Sequence, residues 1–321
     1  MYKILYAAGN RFGSYFQLKR FVSSIRNKNI ELKIAAYKSS IGDLDADYTL
    51  DCLLNFANTN GSSSKNGNYR YYRNEIKRFA PDLIISDVEV YSSLIALDLG
   101  IKLWQASPLL IYNALKQEIK YNTNIHKHYS FLLDTSFRKK KNIYSIIESS
   151  NRKFVVSHLC DINKNINLID GFEWARPDFI LSENISNDIE FFVAGSNYRN
   201  IINSVKNTNT SIFSLPSQEI FDGLKINNIY DELSYSDYLG KCKVYISDGS
   251  EILTSDAFYN QKPIIFNMRH DDVESIIVSH VSEYFGFGKL LSNNTNINDM
   301  NVSQIMINNS VKFLHEQLDL I

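Results

Sequence analysis

Short apolar runs alternate with longer amphipathic segments along this chain. The run Tyr2 to Ala8 is rich in apolar and aromatic residues and predicts a strand, and the segment Tyr15 to Arg26 repeats its apolar positions with helical spacing. A second run, Ile30 to Ala36, predicts the next strand. Strand, helix and strand in this order favour a parallel, doubly wound α/β domain, because parallel neighbours need a crossover connection.

The same alternation continues and predicts two such domains. Residues 161–187 contain Arg176-Pro177 and many asparagines, so we expect them to connect the domains. The predicted division is an N-terminal domain at 1–160, this connection, and a C-terminal domain at 188–321. Further strands are expected at 81–87, 101–106, 154–157, 190–194, 212–215, 225–229, 244–247 and 263–266, with a closing amphipathic helix at 302–320.

The bulk composition fits this plan. A chain of 321 residues with 20 Tyr and 19 Phe suits two cores of about 150 residues each. Basic and acidic residues number 34 and 35, so overall charge gives no argument for nucleic acid. Cys52, Cys160 and Cys242 form neither a disulfide framework nor a metal site. Without a signal peptide or a membrane-length apolar run, we expect a soluble cytoplasmic protein, or one in a host cytoplasm if the Asn- and Lys-rich composition reflects a phage origin.

Weaker signals lie in the N-terminal half. Residues 38–68 are polar and predict a surface loop, and the aromatic and basic stretch 69–73 predicts a half-buried helix first and a binding surface second. The basic run 138–141 is typical of a solvated helix face, and it would matter for an anionic partner such as DNA. His126 and His128 do not share a helical face, so no metal is predicted.

The most informative stretch begins at a strand-to-helix turn around Gly249. Glycine lets the backbone approach a ligand closely, and a helix N-terminus attracts an anion such as a phosphate. The segment Asp248-Gly249-Ser250-Glu251 also fits a helix capping box with an acidic N-cap, so both interpretations stay open. Acidic residues that could accept hydrogen bonds from a ribose or a sugar, or simply be solvated, follow at Asp256, Asp271, Asp272 and Glu274.

The order of these features resembles the C-terminal half of GT-B glycosyltransferases, in the group of the peptidoglycan N-acetylglucosaminyltransferase and UDP-glycosyltransferase-like proteins. That group has a Gly-Gly turn, a helix with a Glu, a Lys-Pro pair, an acidic-Gln pair and a Gly-x-Gly. Here Ser250 replaces the second Gly, Asp256 the Glu, and Ser275 the Gln that contacts the donor sugar. The matching elements are Gly249-Ser250, Asp256, Lys262-Pro263, Glu274-Ser275 and Gly286-Phe287-Gly288.

The resemblance extends to Pro81-Asp82-Leu83-Ile84-Ile85-Ser86-Asp87 and the following Glu89, where it implies a loop lining the interdomain cleft. A carboxylate at the end of a strand, from Asp87 or Glu89, would serve as the base that deprotonates an acceptor hydroxyl. The alternative is that Asp87 caps the next helix. In relatives the first loop, on the acceptor side, often carries a histidine that serves as general base. Here that loop has Gly9, Asn10 and Arg11 and no histidine. Arg11 could hold a phosphate or an acidic acceptor, although an exposed loop arginine is the simpler interpretation.

The sequence therefore predicts two Rossmann-like, doubly wound domains facing a cleft, with GT-B architecture. The resemblance implies a glycosyltransferase that moves a sugar from a UDP-linked donor to a hydroxyl, with inversion and without a metal or other cofactor. The donor-binding residues would be Gly195, Ser196, Gly249, Ser250, Asp256 and Glu274. The acceptor stays open between a saccharide, a lipid-linked saccharide and a hydroxymethylated DNA base. Alternatives are a nucleotide-sugar 2-epimerase and a sugar-nucleotide binder without activity.

Overall fold

A computed structural model describes thirteen stretches of the chain, and it divides them into two compact units. Unit 1 comprises 1–156, 168–175 and 312–321, and unit 2 comprises 157–167 and 176–311. The described residues are 1–9, 12–26, 28–37, 47–50, 63–115, 143–161, 166–195, 201, 209–213, 226–229, 232–270, 272–291 and 311–320.

The elements follow the predicted alternation. The strands are β1 Tyr2–Ala7, β2 Ile30–Tyr37, β3 Tyr48–Leu50, β4 Leu83–Ser86, β5 Lys102–Ser107, β6 Arg152–Val156, β7 Glu173–Ala175, β8 Ile189–Ala194, β9 Thr210–Phe213, β10 Ile226–Ile229, β11 Cys242–Ser247, β12 Ile264–Phe266 and β13 Lys289–Leu290. The α-helices are α1 Phe12–Ile25, α2 Ser63–Phe79, α3 Val90–Leu99, α4 Ile111–Ala114, α5 Ile143–Glu148, α6 Glu232–Lys241, α7 Glu251–Tyr259 and α8 Val273–Phe285. Short 3-10 helices lie at Pro108–Leu110, His158–Asp161 and Leu314–Leu320.

Unit 1 is built on a seven-stranded parallel sheet in the order β3-β2-β1-β4-β5-β6-β7. Strands β1 and β4 are buried along most of their length because helices cover both faces of such a sheet. On one face Tyr6 packs against Phe21, with ring centroids 4.9 Å apart. The chain order reverses between β1 and β4, so the loops that follow these two strands meet at the carboxyl edge.

Unit 2 repeats the plan with a six-stranded parallel sheet in the order β10-β9-β8-β11-β12-β13. Phe192 on β8 packs against Tyr235 and Tyr245, and the two tyrosine hydroxyls share a hydrogen bond of 2.9 Å in the core. The order of this sheet reverses between β8 and β11. The loops after these two strands are therefore the second pair that a ligand would use.

Several details differ from the sequence predictions. A short strand, β3, lies inside the predicted polar loop at 38–68, and α2 already begins at Ser63, before the aromatic and basic stretch where a helix start was expected. The described end of the predicted helix at 302–320 is a 3-10 helix. His126, His128 and the basic run 138–141 lie outside the described residues.

The division into units also differs in detail from the predicted boundaries. Residues 157–160 group with unit 2, whereas 168–175 and 312–321 group with unit 1. Strand β7 explains why 168–175 group with unit 1, because it completes the edge of that sheet beside β6. Leu314, in the segment 312–321, packs in the core of the same unit. Among the described helices, none has the length and apolar character needed to cross a membrane.

Candidate functional site

The loops after β8 and β11 lie against each other at the switch point of the unit 2 sheet. Gly195 follows β8 with φ +114°, and an added Cβ there would overlap the side chain of Asp248. The Asp248 amide donates to the Ala194 carbonyl at 3.2 Å. Gly195 thus allows the backbone after β8 to lie against Asp248, and its predicted role beside a diphosphate stays a prediction. Its predicted neighbour Ser196 lies outside the described residues.

The turn at Gly249 is packed tightly against the start of α8. Gly249 has φ +87°, and an added Cβ would lie 2.5 Å from Ser279 Oγ and 2.6 Å from the Ser275 carbonyl oxygen. Ser275 Oγ donates to the Asp248 carbonyl and accepts from the Arg269 amide at 2.7 Å. Ser275 therefore connects the turn to the loop after β12 through two hydrogen bonds. This is a structural role for the serine that replaces the glutamine of the resembled group.

Two carboxylates cap the N-terminus of α7. Asp248 Oδ1 accepts from the Ser250 amide at 3.1 Å, and Glu274 Oε1 accepts from the Glu251 amide at 2.9 Å. Ser250 occupies the N-cap position but makes no side-chain capping bond. Its hydroxyl is buried and has no hydrogen-bond partner among the described residues. The capping-box alternative expected an acidic N-cap. Asp248 does accept a backbone amide at this helix start, but Ser250 holds the N-cap position and Glu274, from α8, accepts the next amide.

A buried His–Glu pair lies directly behind this turn and was not predicted from the sequence. Glu251 Oε1 accepts from His158 at both the amide, 2.7 Å, and Nδ1, 2.6 Å, and from Ser255 Oγ at 3.0 Å. Ser282 Oγ lies 3.4 Å from His158 Nε2. The order serine, histidine, glutamate resembles a hydrolase triad, but all three side chains are buried, with exposures of 3% or less. We therefore interpret the arrangement as structural: the hydrogen bonds from His158 to Glu251 hold the 3-10 helix His158–Asp161 against α7.

Asp256 lies on α7 but faces the segment that leads into β8. Its side chain is fully buried, and Oδ1 accepts from the Ile180 amide at 2.8 Å. Asn260, one turn later, accepts from the Ser182 amide at 2.8 Å and donates to the Ile180 carbonyl at 2.6 Å. Asp256 thus anchors this segment in the structure, and its role on a ribose stays a prediction.

A second buried ion pair anchors the same region. Arg176 donates through Nε and Nη2 to Asp161 at 2.6 and 2.9 Å, and the Tyr259 hydroxyl donates to Asp161 at 2.6 Å. Burial, followed by the neighbouring Cys160 and Asp161, raises the pKa of Tyr259 well above its ordinary value. The tyrosine therefore stays a neutral hydrogen-bond donor. No local pattern marks this set, because its members are far apart along the chain.

The acceptor-side candidates lie at the switch point of the unit 1 sheet. Gly9 follows β1, and the Asp87 amide donates to the carbonyl of Ala7 at 3.0 Å, so the chain after β4 lies next to the end of β1. Ser14 Oγ donates to Asp87 Oδ2, and both side chains are buried. Asn10 and Arg11 lie outside the described residues. Sequence analysis did not single out Ser14, although helical residues near a switch point are natural neighbours of such a carboxylate.

Glu89, not Asp87, caps α3. Its carboxylate accepts from the amides of Tyr91 at 2.9 Å and Ser92 at 2.7 Å, and from the Tyr37 hydroxyl at 3.2 Å. The alternative that Asp87 is the cap is therefore corrected. Val88 has φ +51°, which turns the chain so that the second acid meets the helix. Burial raises the pKa of Glu89 despite the hydrogen bonds from Ser92, Tyr91 and Tyr37.

This raised pKa gives a testable pH dependence. The native state holds the Glu89 proton to a higher pH than the unfolded chain does, so this group lowers wild-type stability as pH rises through the raised pKa. We expect the free energy of unfolding of Glu89→Gln, relative to wild type, to shift in favour of the variant between about pH 4 and about pH 8. Urea unfolding across this range measures the shift. Glu148→Gln, an exposed site in unit 1, controls for the lost charge, and an equal shift there would contradict the prediction.

No group of three or more metal-ligating side chains occurs within the described stretches. The described site thus consists of a crowded turn, a helix N-terminus with its own acidic caps, and two buried hydroxyls, of Ser250 and Ser279, without a partner among the described residues.

Comparison of the sequence with protein-family models and with curated proteins finds no match. Solved structures are nevertheless similar across nearly the whole chain. The glycosyltransferase SsfS6 of Streptomyces sp. SF2575 is 13% identical, covers 90% of this chain and 88% of its own, and has a TM-score of 0.58. The same enzyme has been solved with thymidine diphosphate.

Two further structures extend the comparison. The spinosyn forosaminyltransferase SpnP is 13% identical over 92% of this chain and 87% of its own, with a TM-score of 0.58. A putative UDP-N-acetylglucosamine 2-epimerase from Listeria monocytogenes is 12% identical over 91% and 84%, with a TM-score of 0.54. The chain therefore has the GT-B glycosyltransferase fold, as its sequence predicted. At these identities the likeness establishes the fold, and it leaves the reaction to be argued from the residues.

Proposed function

We propose that this protein is a glycosyltransferase that takes a sugar from a nucleoside-diphosphate donor, UDP-linked, and transfers it to a hydroxyl acceptor. The observation that carries the proposal is the hydroxyl of Ser250. It is buried at the N-terminus of α7, at the switch point of the unit 2 sheet, without a partner among the described residues. Buried polar groups are nearly always hydrogen-bonded, so an unpartnered hydroxyl at a helix N-terminus favours a ligand anion there.

Unit 2 would bind the donor. Gly195 and Gly249 would let the backbone approach the diphosphate, with Ser196 and Ser250 beside it, as the resemblance implies. In the structure both glycines are packed against neighbouring side chains, Gly195 against Asp248 and Gly249 against Ser275 and Ser279. Glu274 would hold the sugar, as the resemblance implies. Asp256 is proposed for the ribose on resemblance alone, since its carboxylate is hydrogen-bonded to Ile180 in this structure.

Unit 1 would hold the acceptor and supply the base. Asp87 is the better candidate of the two acids, because both oxygens of Glu89 are engaged in capping α3. Ser14 would orient the Asp87 carboxylate, and Gly9, Asn10 and Arg11 would line the acceptor side. In the proposed inverting step the acceptor oxygen attacks the anomeric carbon, Asp87 takes its proton, and the sugar–phosphate bond breaks with its electron pair on the diphosphate. Positioning and the α7 N-terminus would stabilise that charge without a metal.

Incubation with radiolabelled UDP-glucose and UDP-N-acetylglucosamine tests the proposal. We expect release of UDP that depends on an acceptor, and a fall in donor affinity of about tenfold for Ser250→Ala, the loss of one hydrogen bond to a charged group. Ser236→Ala, on the outer helix α6 of the same unit, is the matched control and should bind like wild type. Absence of donor binding by the wild type would contradict the proposal.

The acceptor panel should contain saccharides, lipid-linked saccharides and duplex DNA with hydroxymethylated bases. Label in the DNA would identify a DNA glycosyltransferase. Tyr71 and Arg70 are exposed on α2, so the aromatic and basic stretch does present two side chains for such a partner.

Two further outcomes are distinguished by the same assay. The Listeria structure shares the fold and carries an epimerase description, so formation of an epimer would favour that reaction. Binding of the donor without turnover would favour a sugar-nucleotide binder without activity. The acidic caps of α7, and the hydrogen bond of Ser275 to the Asp248 carbonyl, are also compatible with such a binder.

A further inference from the structure

We propose that Glu274 is a displaceable internal anion that exchanges partners when the donor binds. In this exchange Glu274 yields the Glu251 amide to the donor diphosphate and turns to the hydroxyls of the donor sugar. The inference rests on the proposed function and deepens it. It states that Glu274 makes the protein bind the intact donor more tightly than the free nucleoside diphosphate.

The evidence is the present partner of Glu274. Its Oε1 accepts from the Glu251 amide at 2.9 Å, at the first residue of α7, and both side chains are buried. A phosphate bound at this N-terminus would need the same N–H group and would be repelled by the carboxylate. Diphosphate binding therefore requires that Glu274 leaves this donor.

The second acidic cap, Asp248, is less able to move. It lies directly after β11, its side chain fills the space above Gly195, and its backbone carbonyl accepts from Ser275 Oγ. Glu274 has one more rotatable bond, and its backbone is held separately because its amide donates to Asp272 at 2.9 Å. The backbone at the start of α8 therefore keeps this hydrogen bond when the Glu274 carboxylate changes partner.

The exchange has a direct consequence for binding. With an intact donor, sugar hydroxyls replace the lost hydrogen bond of Glu274, whereas UDP alone offers no such replacement. A hydrogen bond to a charged group corresponds to about tenfold in affinity, so the wild type should bind UDP about tenfold more weakly than a variant without this anion. After transfer the carboxylate would return to the Glu251 amide and help expel the diphosphate.

Isothermal titration of UDP, dTDP, UDP-glucose and UDP-N-acetylglucosamine tests the exchange in the full chain. Glu274→Gln and Glu274→Ala should each bind UDP about five- to tenfold more tightly than wild type, while their preference for the sugar-bearing donor over UDP falls. Glu283→Gln, an identical change on the exposed end of α8, should leave both affinities unchanged.

The outcomes separate the two proposals. If wild type binds UDP and both Glu274 variants bind it equally or more weakly, the exchange is wrong and the donor site stands. If neither wild type nor any variant binds a nucleotide, the proposed function fails and the exchange fails with it. Glu274→Gln is nearly isosteric, and a thermal melt that matches wild type shows that its binding data refer to a folded protein.

Discussion

Arg176→Leu should lower the free energy of unfolding of unit 2 by about 3–5 kcal/mol, because it leaves the buried Asp161 carboxylate without its cation. Asp161 is fully buried, and the guanidinium supplies two of its hydrogen bonds while Tyr259 supplies a third. Adding Asp161→Asn to Arg176→Leu should recover much of the loss, since the uncompensated charge disappears.

The measurement must report on unit 2 itself. Both tryptophans, Trp104 and Trp174, belong to unit 1, so intrinsic fluorescence would follow the wrong part of the chain. Hydrogen exchange of peptides from residues 232–291 reports the stability of α6 to β13 directly. Lys243→Ala is the control, because its pair with Glu190 is exposed and should change stability by less than about 1 kcal/mol. Equal losses for Arg176→Leu and the control would show that the buried pair does not anchor unit 2.

Gly249→Val should abolish donor binding and destabilise unit 2 by about 3 kcal/mol or more. Part of this loss is backbone strain, about 1–2 kcal/mol for an L residue at positive φ, and the rest comes from overlap in a packed turn. The nearest atom of the backbone is the Ser275 carbonyl oxygen, 2.6 Å from an added Cβ, which cannot rotate away as a side chain can.

Gly286→Val separates strain from crowding. Gly286 also has positive φ, +83°, but an added Cβ would meet nothing within 4 Å. The control should therefore lose only about 1–2 kcal/mol and keep donor affinity, as measured by titration and by hydrogen exchange. Similar binding losses for both variants would mean that the turn at Gly249 does not shape the site.

The strands of both sheets were predictable from the sequence because parallel strands that are buried on both faces are near-continuous apolar runs. The run around Tyr245 and the short run at Ile264–Phe266 are examples, each followed by a helix with its own apolar face. The glycine at the strand-to-helix turn was predictable too, because few residues other than glycine fit such a turn. Its close packing against Ser275 and Ser279 was not predicted.

The hydrogen-bond partners within the site were not predictable. His158 and Glu251 are 93 positions apart, and Tyr259 and Asp161 are 98 apart, so no periodicity connects them. The choice between Asp87 and Glu89 as the helix cap was equally hidden. It depends on the positive φ of Val88. The spacing of Asp87 and Glu89 in the sequence gives no indication of that backbone conformation.

The interleaving of the two units has a consequence for how such proteins diversify. The chain passes from one unit to the other after residues 156, 167, 175 and 311. A gene recombined once near its middle, just after residue 156, would thus separate Glu173–Ala175 from the sheet whose edge they complete. It would also separate Leu314 from the unit 1 core in which it packs. Natural or laboratory exchange of unit 1 must therefore transfer the short segments 168–175 and 312–321 together with 1–156.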